Sequence, residues 1–204
     1  MAALVADMID VAFALEGDAL PREHRHALAE ALQEALPWLG SEARAGVHRL
    51  KLVASGDGSN DLVSPRTRLT LRVPRGRAEA AEALTGAELS LGGRRVRAGR
   101  AQRRELLPHG TLYAPLVAAD GPDEAQFLVA VQLALDTLGV RAQPVCGRWQ
   151  STEGGRLVGC SLMLSGLDRD QSLVLLQQGL GPHRRLGCGL FIPHRSAAAV
   201  GTPA

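Results

Sequence analysis

The chain has 204 residues, of which 46% are hydrophobic and 22% are charged, and its formal net charge at pH 7 is +2. This length suits one large domain or two small ones, and the composition is that of a globular protein. No apolar run reaches the roughly 18 residues that a transmembrane helix needs, so no membrane association is expected. The net charge is too small to indicate a nucleic-acid-binding protein by itself.

The N-terminus and the cysteines indicate a cytoplasmic protein. The first residues carry no basic segment, and Asp7 and Asp10 follow early, so the segment is unlike a signal peptide. Cys146, Cys160 and Cys188 are widely spaced and form no CxxC motif. We expect three reduced thiols and no zinc site.

The first half of the chain alternates strand and helix patterns. Residues 8–15 predict a strand. A helix can begin at Pro21, and its apolar stripe contains Leu28 and Leu32. Alternation and turn residues then predict strands at 47–53 and 67–73, a helix at 75–84, and a hairpin at 87–99 that turns at its Gly-Gly pair.

The second half repeats this order. A strand at 111–118 precedes an amphipathic helix at 122–138, which carries Phe127, Val131 and Leu135 on one face. The remaining predicted elements are strands at 143–150 and 157–164, a helix at 170–178 and a last strand at 188–192, before a frayed tail from Ser196.

Each half therefore has the order β-α-β-β-α-β. This order predicts an α+β chain of two tandem ferredoxin-like (RRM-like) domains. We place the N-terminal domain at residues 1–104 and the C-terminal domain at residues 105–204, with the natural boundary in the segment 101–110.

Arginines cluster at the end of the first half. Arginine forms bidentate hydrogen bonds with phosphates, so the cluster favours nucleic-acid binding, and a solvated strand face is an equally good explanation. The members are Arg94, Arg95, Arg97, Arg100, Arg103 and Arg104.

A glycine-rich segment, G-x-G-x-x-R-R-x-G-x-G, lies between the last predicted helix and the last strand. Glycines let the backbone approach a ligand closely, and two arginines beside them suit an anion, although an ordinary turn is the alternative. The segment lacks the Gly-Lys-Ser/Thr of a Walker loop, and its helix-loop-strand order is the reverse of a dinucleotide-binding fingerprint. Its candidate ligand-binding residues are Gly179, Gly181, His183, Arg184, Arg185, Gly187 and Gly189.

This segment resembles the glycine-rich loop of the RAMP superfamily of CRISPR-associated RNA-binding proteins. Three further stretches, 20–24, 46–50 and 105–113, together with 179–194, resemble the CRISPR repeat-processing endoribonucleases, in a compact variant of type I systems first noted in myxobacteria. The resemblance covers nearly the whole chain. It implies that the protein cleaves repeat RNA without a metal or other cofactor, by attack of a ribose 2′-OH that leaves a 2′,3′-cyclic phosphate.

The resemblance also implies partners. The first is the repeat RNA itself, in a stem-loop, and the product guide RNA is retained with other subunits of a CRISPR effector complex. Transposition proteins are a further alternative. Because aromatic residues make up only 3% of the chain, we expect arginines, including Arg148, rather than base stacking to hold the RNA.

Two histidines are candidate catalytic residues. His24 falls at the start of the first helix, where this family commonly places its catalytic histidine, and His26 follows two residues later. Two residues turn a helix through roughly 200°, so both rings cannot face one phosphate equally. We prefer His24, because it lies at the rim of the apolar stripe, and His26 is the alternative.

Two other classes of function stay open at this point. One is a catalytically silent RAMP subunit that only binds guide RNA in an effector or transposition complex. The other is a tandem ferredoxin-like protein that binds a small molecule or acts as a regulatory domain.

Overall fold

The computed structural model describes residues 6–56 and 58–194. Its strands are β1 (Met8–Glu16), β2 (Ala19–Pro21), β3 (Gly46–Val47), β4 (Val53–Ala54), β5 (Asn60–Leu62), β6 (Arg68–Pro74), β7 (Glu88–Leu91), β8 (Arg94–Arg104), β9 (Thr111–Ala118), β10 (Gln143–Thr152), β11 (Leu157–Ser165) and β12 (Ile192–Pro193). Its α-helices are α1 (Arg25–Ala35), α2 (Ala78–Glu82), α3 (Glu124–Thr137) and α4 (Arg169–Gln178). Among these residues, no helix is long and apolar enough to cross a membrane.

The chain forms two compact units. The first contains the described residues up to Leu106 together with two short segments from later in the sequence, Thr152–Leu157 and His183–Gly187. The second contains the remaining described residues from Leu107 onward. The tip of one hairpin and the middle of the glycine-rich segment therefore belong to the first unit.

The first unit is built on a five-stranded sheet in the order β3-β6-β1-β8-β7. Its central strand, β1, alternates in sequence, and Val11 and Phe13 lie in the hydrophobic core while their neighbour Ala12 points to the other face. Leu28 and Leu32 of α1 pack in the same core, which covers one face of the sheet. The first four of these strands have the ferredoxin-like order.

The second unit has a four-stranded sheet in the order β10-β11-β9-β12, again ferredoxin-like. Helix α3 buries the predicted face of Phe127, Val131 and Leu135. Helix α4 begins with a capping box, in which Asp168 accepts from the backbone N–H of Gln171 and the side chain of Gln171 accepts in return. The prediction of an α+β chain of tandem ferredoxin-like domains is confirmed.

The predicted strand at 47–53 is wrong in its middle. Gly46 and Val47 pair with β6, whereas Val53 and Ala54 pair with β5 in a separate three-stranded sheet, β2-β5-β4. One run of alternating residues thus contributes to two sheets, and the chain must leave the first sheet to reach the second.

The last strand is also shorter than predicted. Residues 188–191 are buried but not in a strand, because the backbone N–H of Gly189 donates to the Leu116 carbonyl and its own carbonyl accepts from the N–H of Leu180. Gly189 has φ +65°, and a Cβ there would meet the Leu180 carbonyl oxygen, so no other residue fits this position without a shift. The tail from Ser196 lies outside the described residues.

The prediction of three reduced thiols is wrong for two of them. Cys146 and Cys160 form a disulfide in the structure, with their Cα atoms 6.4 Å apart. They lie on the neighbouring strands β10 and β11. The spacing of the two cysteines in the sequence does not show that they face each other, because this depends on how the two strands pair. Cys188 is a free, buried thiol.

Candidate active site

The N-terminus of α1 carries both candidate catalytic histidines. His24 is the residue that precedes the first helical turn, with φ −113°, and its side chain makes no capping hydrogen bond. Leu28 and Leu32 anchor the helix in the core of the first unit. The two later segments that contact this helix end, Thr152–Leu157 and His183–Gly187, belong to the same unit.

The His24 ring is mostly buried, with 6% of the residue exposed. Its Nδ1 lies 2.8 Å from the carbonyl oxygen of Pro21. A carbonyl oxygen only accepts, so Nδ1 carries the hydrogen and the lone pair is on Nε2. Burial is the main reason that the pKa of His24 lies below its ordinary value of 6.5, and the nearby cations Arg25 and Arg49 lower it further.

The His26 side chain is more exposed, at 40%. Its Nδ1 lies 2.9 Å from Oε2 of Glu153, which stands in the turn between β10 and β11. The other oxygen of the same carboxylate, Oε1, accepts the backbone N–H of Arg25 at 3.0 Å. The sequence placed Glu153 only in a hairpin turn and gave no signal that it reaches a helix more than a hundred residues away.

The middle of the glycine-rich segment packs beside this helix end. Arg25 donates from Nη1 to the carbonyl oxygen of Leu186 at 2.6 Å. Gly187 has φ +80°, and a Cβ there would lie 3.1 Å from the Val47 carbonyl oxygen. The glycine at this position therefore permits a close approach to the chain around Val47, which carries Arg49 two residues later.

The two adjacent arginines of this segment differ in exposure. Arg184 is 9% exposed and donates from Nε to the carbonyl oxygen of Arg44 at 3.0 Å. Burial, with the positive charges of Arg72 and Arg44, lowers the pKa of Arg184 to about 10. Arg185 is exposed and donates to Oε1 of Gln33 on α1 at 3.2 Å. Arg185 is thus the more accessible of the pair for a phosphate.

The backbone amides of the glycine-rich segment are largely used within the protein. The N–H groups of Gly179, Gly187 and Gly189 donate to the carbonyl oxygens of Leu175, Arg184 and Leu116. These three glycines are buried, whereas Gly181 and His183 are exposed. His183 has φ +64°, a left-handed conformation that few non-glycine residues adopt.

The predicted arginine cluster lies along β8. Its members are exposed, and Arg103 forms an ion pair with Glu82 of α2, with Nε 2.6 Å from Oε1. Among the described residues, the structure gives no hydrogen-bonding or ionic partner to the guanidinium groups of Arg94, Arg95, Arg97 and Arg100. Arg104 donates to the side-chain oxygen of Gln102 at 3.4 Å. Arg148 is exposed on β10, in the second unit.

A buried ion pair lies on the sheet of the first unit. Arg72 is 1% exposed and donates to both oxygens of Asp10, from Nε at 2.8 Å and from Nη2 at 2.9 Å. His48 lies beside it, with Nε2 3.7 Å from Oδ1 of Asp10, and burial lowers the pKa of His48. This cluster has no signal in the sequence, where Asp10 is only an acidic residue in the first predicted strand.

The described part of the chain, residues 6–56 and 58–194, contains no group of three histidine, cysteine, aspartate or glutamate side chains that could hold a metal ion. The groups that converge at the start of α1 are histidines, carboxylates and arginines. Such a set can transfer protons and bind an anion.

The chain is that of a CRISPR-associated protein. A family model described as "Cas6 Crispr" matches residues 9–196, and the chain belongs to the Cas6 family. A relative from Myxococcus xanthus (strain DK1622), named "CRISPR-associated endonuclease Cas6", is 35% identical over 195 residues, which cover 94% of this chain and 84% of the relative.

Solved structures show the same fold. One, described as "CRISPR associated protein Cas6", has a TM-score of 0.64 at 11% identity and covers 92% of this chain and 100% of its own. Another, described as "Characterization of a Cas6-related gene from Pyrococcus furiosus", has a TM-score of 0.60 at 11% identity and covers 91% and 98%. The expected resemblance to CRISPR repeat-processing proteins is confirmed.

Proposed function

We propose that the protein is an endoribonuclease that processes CRISPR repeat RNA without a metal ion and retains the product guide RNA for an effector complex. Family membership and the name of the Myxococcus xanthus relative support the activity. The observation that carries the mechanism is the exposed His26 ring at the start of α1, with its Nδ1 hydrogen bonded and its Nε2 left to act as a base.

The reaction is an internal transesterification. Nε2 of His26 accepts the proton of the ribose 2′-OH as the O2′–P bond forms, and the P–O5′ bond breaks. The leaving 5′-oxygen takes up a proton from solvent, and a 2′,3′-cyclic phosphate remains. Exposed cations near the helix start, Arg49 and Arg185, suit the charge that develops on the phosphate.

We assign proton transfer to His26 rather than to His24, although the sequence favoured His24. A general base must reach the proton that it removes, and the His26 side chain is 40% exposed whereas the His24 residue is 6% exposed. The Nδ1 of His24 already holds the backbone at Pro21, so this ring supports the chain entering the helix.

Cleavage is expected to continue in EDTA and to stop when the nucleotide upstream of the scissile phosphate lacks its 2′-OH. With no ribose nucleophile, a transesterification has no attacking atom. The measurement is single-turnover cleavage of repeat RNA by the purified protein, with and without EDTA, on the natural and the 2′-deoxy substrate. Loss of activity in EDTA, or cleavage of the 2′-deoxy substrate, contradicts the mechanism. A natural repeat that is bound but never cut indicates a silent guide-RNA-binding subunit.

Four arginines of β8 are expected to bind RNA phosphates, because the described residues give their guanidinium groups no partner: Arg94, Arg95, Arg97 and Arg100. Replacing Arg95 and Arg97 together with alanine should weaken RNA binding and reduce the slope of log affinity against log salt by about 1–2, since each phosphate contact contributes roughly 0.7–0.9. Arg103→Ala is the matched control on the same strand, because its charge is already paired with Glu82. Equal salt slopes for the double variant and the control would show that this strand is a solvated face.

A further inference from the structure

The turn between β10 and β11 has an unusual residue at its first position. Glu153 has φ +55°, and among the described residues only one other non-glycine residue, His183, has a positive φ. Glycine is the residue that such a conformation favours, and Gly154 and Gly155 follow directly. Glu153 is nevertheless 5% exposed, whereas both glycines are exposed. An unfavourable backbone conformation that buries a carboxylate points to a role for that carboxylate.

Both oxygens of Glu153 are engaged at the start of α1. Oε2 accepts from Nδ1 of His26 at 2.9 Å, and Oε1 accepts the backbone N–H of Arg25 at 3.0 Å. Because the helix has no capping side chain of its own and no acidic residue in its first turn, Glu153 takes the place of a cap. The same two contacts prevent the carboxylate from rotating away from the imidazole.

A second contact holds the turn in place. The backbone N–H of Gly154 donates to Oε2 of Glu23, the residue before His24, at 3.1 Å. The turn is therefore tied to the chain just before the helix as well as to the helix itself. Glu23 is exposed and has no contact with the His26 ring among those that the structure records in the described residues.

We infer that Glu153 is a positioning residue that fixes the tautomer and the orientation of His26 for proton transfer. An ionised carboxylate only accepts hydrogen bonds, so it keeps the hydrogen of the neutral ring on Nδ1 and the lone pair on Nε2. When Nε2 takes the proton of the 2′-OH, the ring becomes an imidazolium, and the adjacent carboxylate stabilises its charge. The role in catalysis rests on the proposed function, whereas the effect on the tautomer does not.

Glu153→Gln tests this inference. The glutamine oxygen can still accept the N–H of Arg25, while its NH₂ group donates to Nδ1 of His26 and moves the ring hydrogen to Nε2. Cleavage should fall by at least about 10²-fold and by no more than in His26→Ala, while RNA affinity stays within about twofold. Glu153→Asp should recover part of the rate, because it restores a carboxylate on a shorter side chain.

The measurements are the ¹⁵N chemical shifts of the His26 ring, the single-turnover cleavage rate and the RNA affinity. The wild-type protein should show hydrogen on Nδ1 of neutral His26, and Glu153→Gln should show it on Nε2. Glu23→Gln is the matched control, because this side chain does not touch the His26 ring and its amide oxygen can still accept the N–H of Gly154. The His26 tautomer and the cleavage rate of this variant should be those of the wild type.

Three results would overturn the inference. The first is a wild-type His26 with its hydrogen on Nε2. The second is a Glu153→Gln variant that keeps the wild-type tautomer. The third is a Glu153→Gln variant that loses rate only in proportion to its unfolded fraction, which would make Glu153 a helix cap alone. A wild-type protein that binds but does not cut repeat RNA contradicts the proposed function, and the catalytic role of Glu153 fails with it. The tautomer measurement would still test whether Glu153 is hydrogen bonded to Nδ1 of His26.

Discussion

Replacing Asp10 with alanine is expected to lower the free energy of unfolding by about 3–5 kcal/mol, because it leaves the buried guanidinium of Arg72 without its carboxylate. The two side chains share two hydrogen bonds of 2.8 and 2.9 Å, and Arg72 is 1% exposed. The measurement is equilibrium unfolding in urea. Glu82→Ala is the control: it breaks an arginine–carboxylate pair of similar geometry on the surface and is expected to change stability little.

The double variant Asp10→Leu with Arg72→Met separates loss of the pair from loss of packing. Because it removes both charges and keeps an apolar volume, it should recover most of the stability that Asp10→Ala loses. A double variant that is less stable than Asp10→Ala would show that the shape of this site, rather than an uncompensated charge, determines the effect.

The ion pair of Asp10 and Arg72 is expected to make the free energy of unfolding depend on pH. Burial by itself would raise the pKa of Asp10, but the hydrogen bonds and the positive charge of Arg72 hold it well below its ordinary value. A carboxylate with a lowered folded-state pKa contributes stability that is fully present above its unfolded-state pKa of about 3.9 and is lost as the pH falls through the folded-state value. The stability difference between wild type and Asp10→Ala should therefore shrink in acid.

The fold could be predicted because most elements carry their own periodic signal. The alternation of β1 and the apolar face of α3, with Phe127, Val131 and Leu135, appear in the structure as the sequence indicates. The errors arise where long-range pairing decides the outcome. Residues 47–54 are divided between two sheets by their partners on β6 and β5, and the disulfide depends on the register of β10 and β11.

The site was predictable only as far as it is local. His24 and His26 stand out because they begin a helix, and Arg185 stands out because it lies in a glycine-rich segment. Glu153 and Arg184 depend on the fold: one reaches α1 from a distant hairpin, and the other is withdrawn from solvent by a hydrogen bond to Arg44. Neither the contact of Glu153 with α1 nor the burial of Arg184 can be inferred from the spacing of residues in the sequence.

Replacing His26 with alanine is expected to slow single-turnover cleavage by about 10²–10⁴-fold, the usual contribution of a proton-transfer group. RNA affinity should change little, because one imidazole contributes little attraction to phosphates compared with the arginines. His24→Ala is the matched comparison on the same helix start. It removes a mostly buried ring and its hydrogen bond to Pro21, so it should lower the stability of the protein. Its loss of cleavage rate should be much smaller than the loss expected for His26→Ala.

Comparing His24→Ala with His26→Ala identifies the catalytic residue, because both side chains are imidazoles and they differ in exposure to solvent. Burial keeps the pKa of His24 below 6.5 and holds the ring neutral at pH 7, a state compatible with a base, so chemistry alone does not exclude it. The proposal for His26 rests on access: its side chain is 40% exposed and bound to a carboxylate, whereas the His24 residue is 6% exposed. If folded His24→Ala loses cleavage by more than about 10²-fold while His26→Ala cuts at the wild-type rate, the assignment is reversed, and the RNA must open the chain around Pro21 to reach the inner ring.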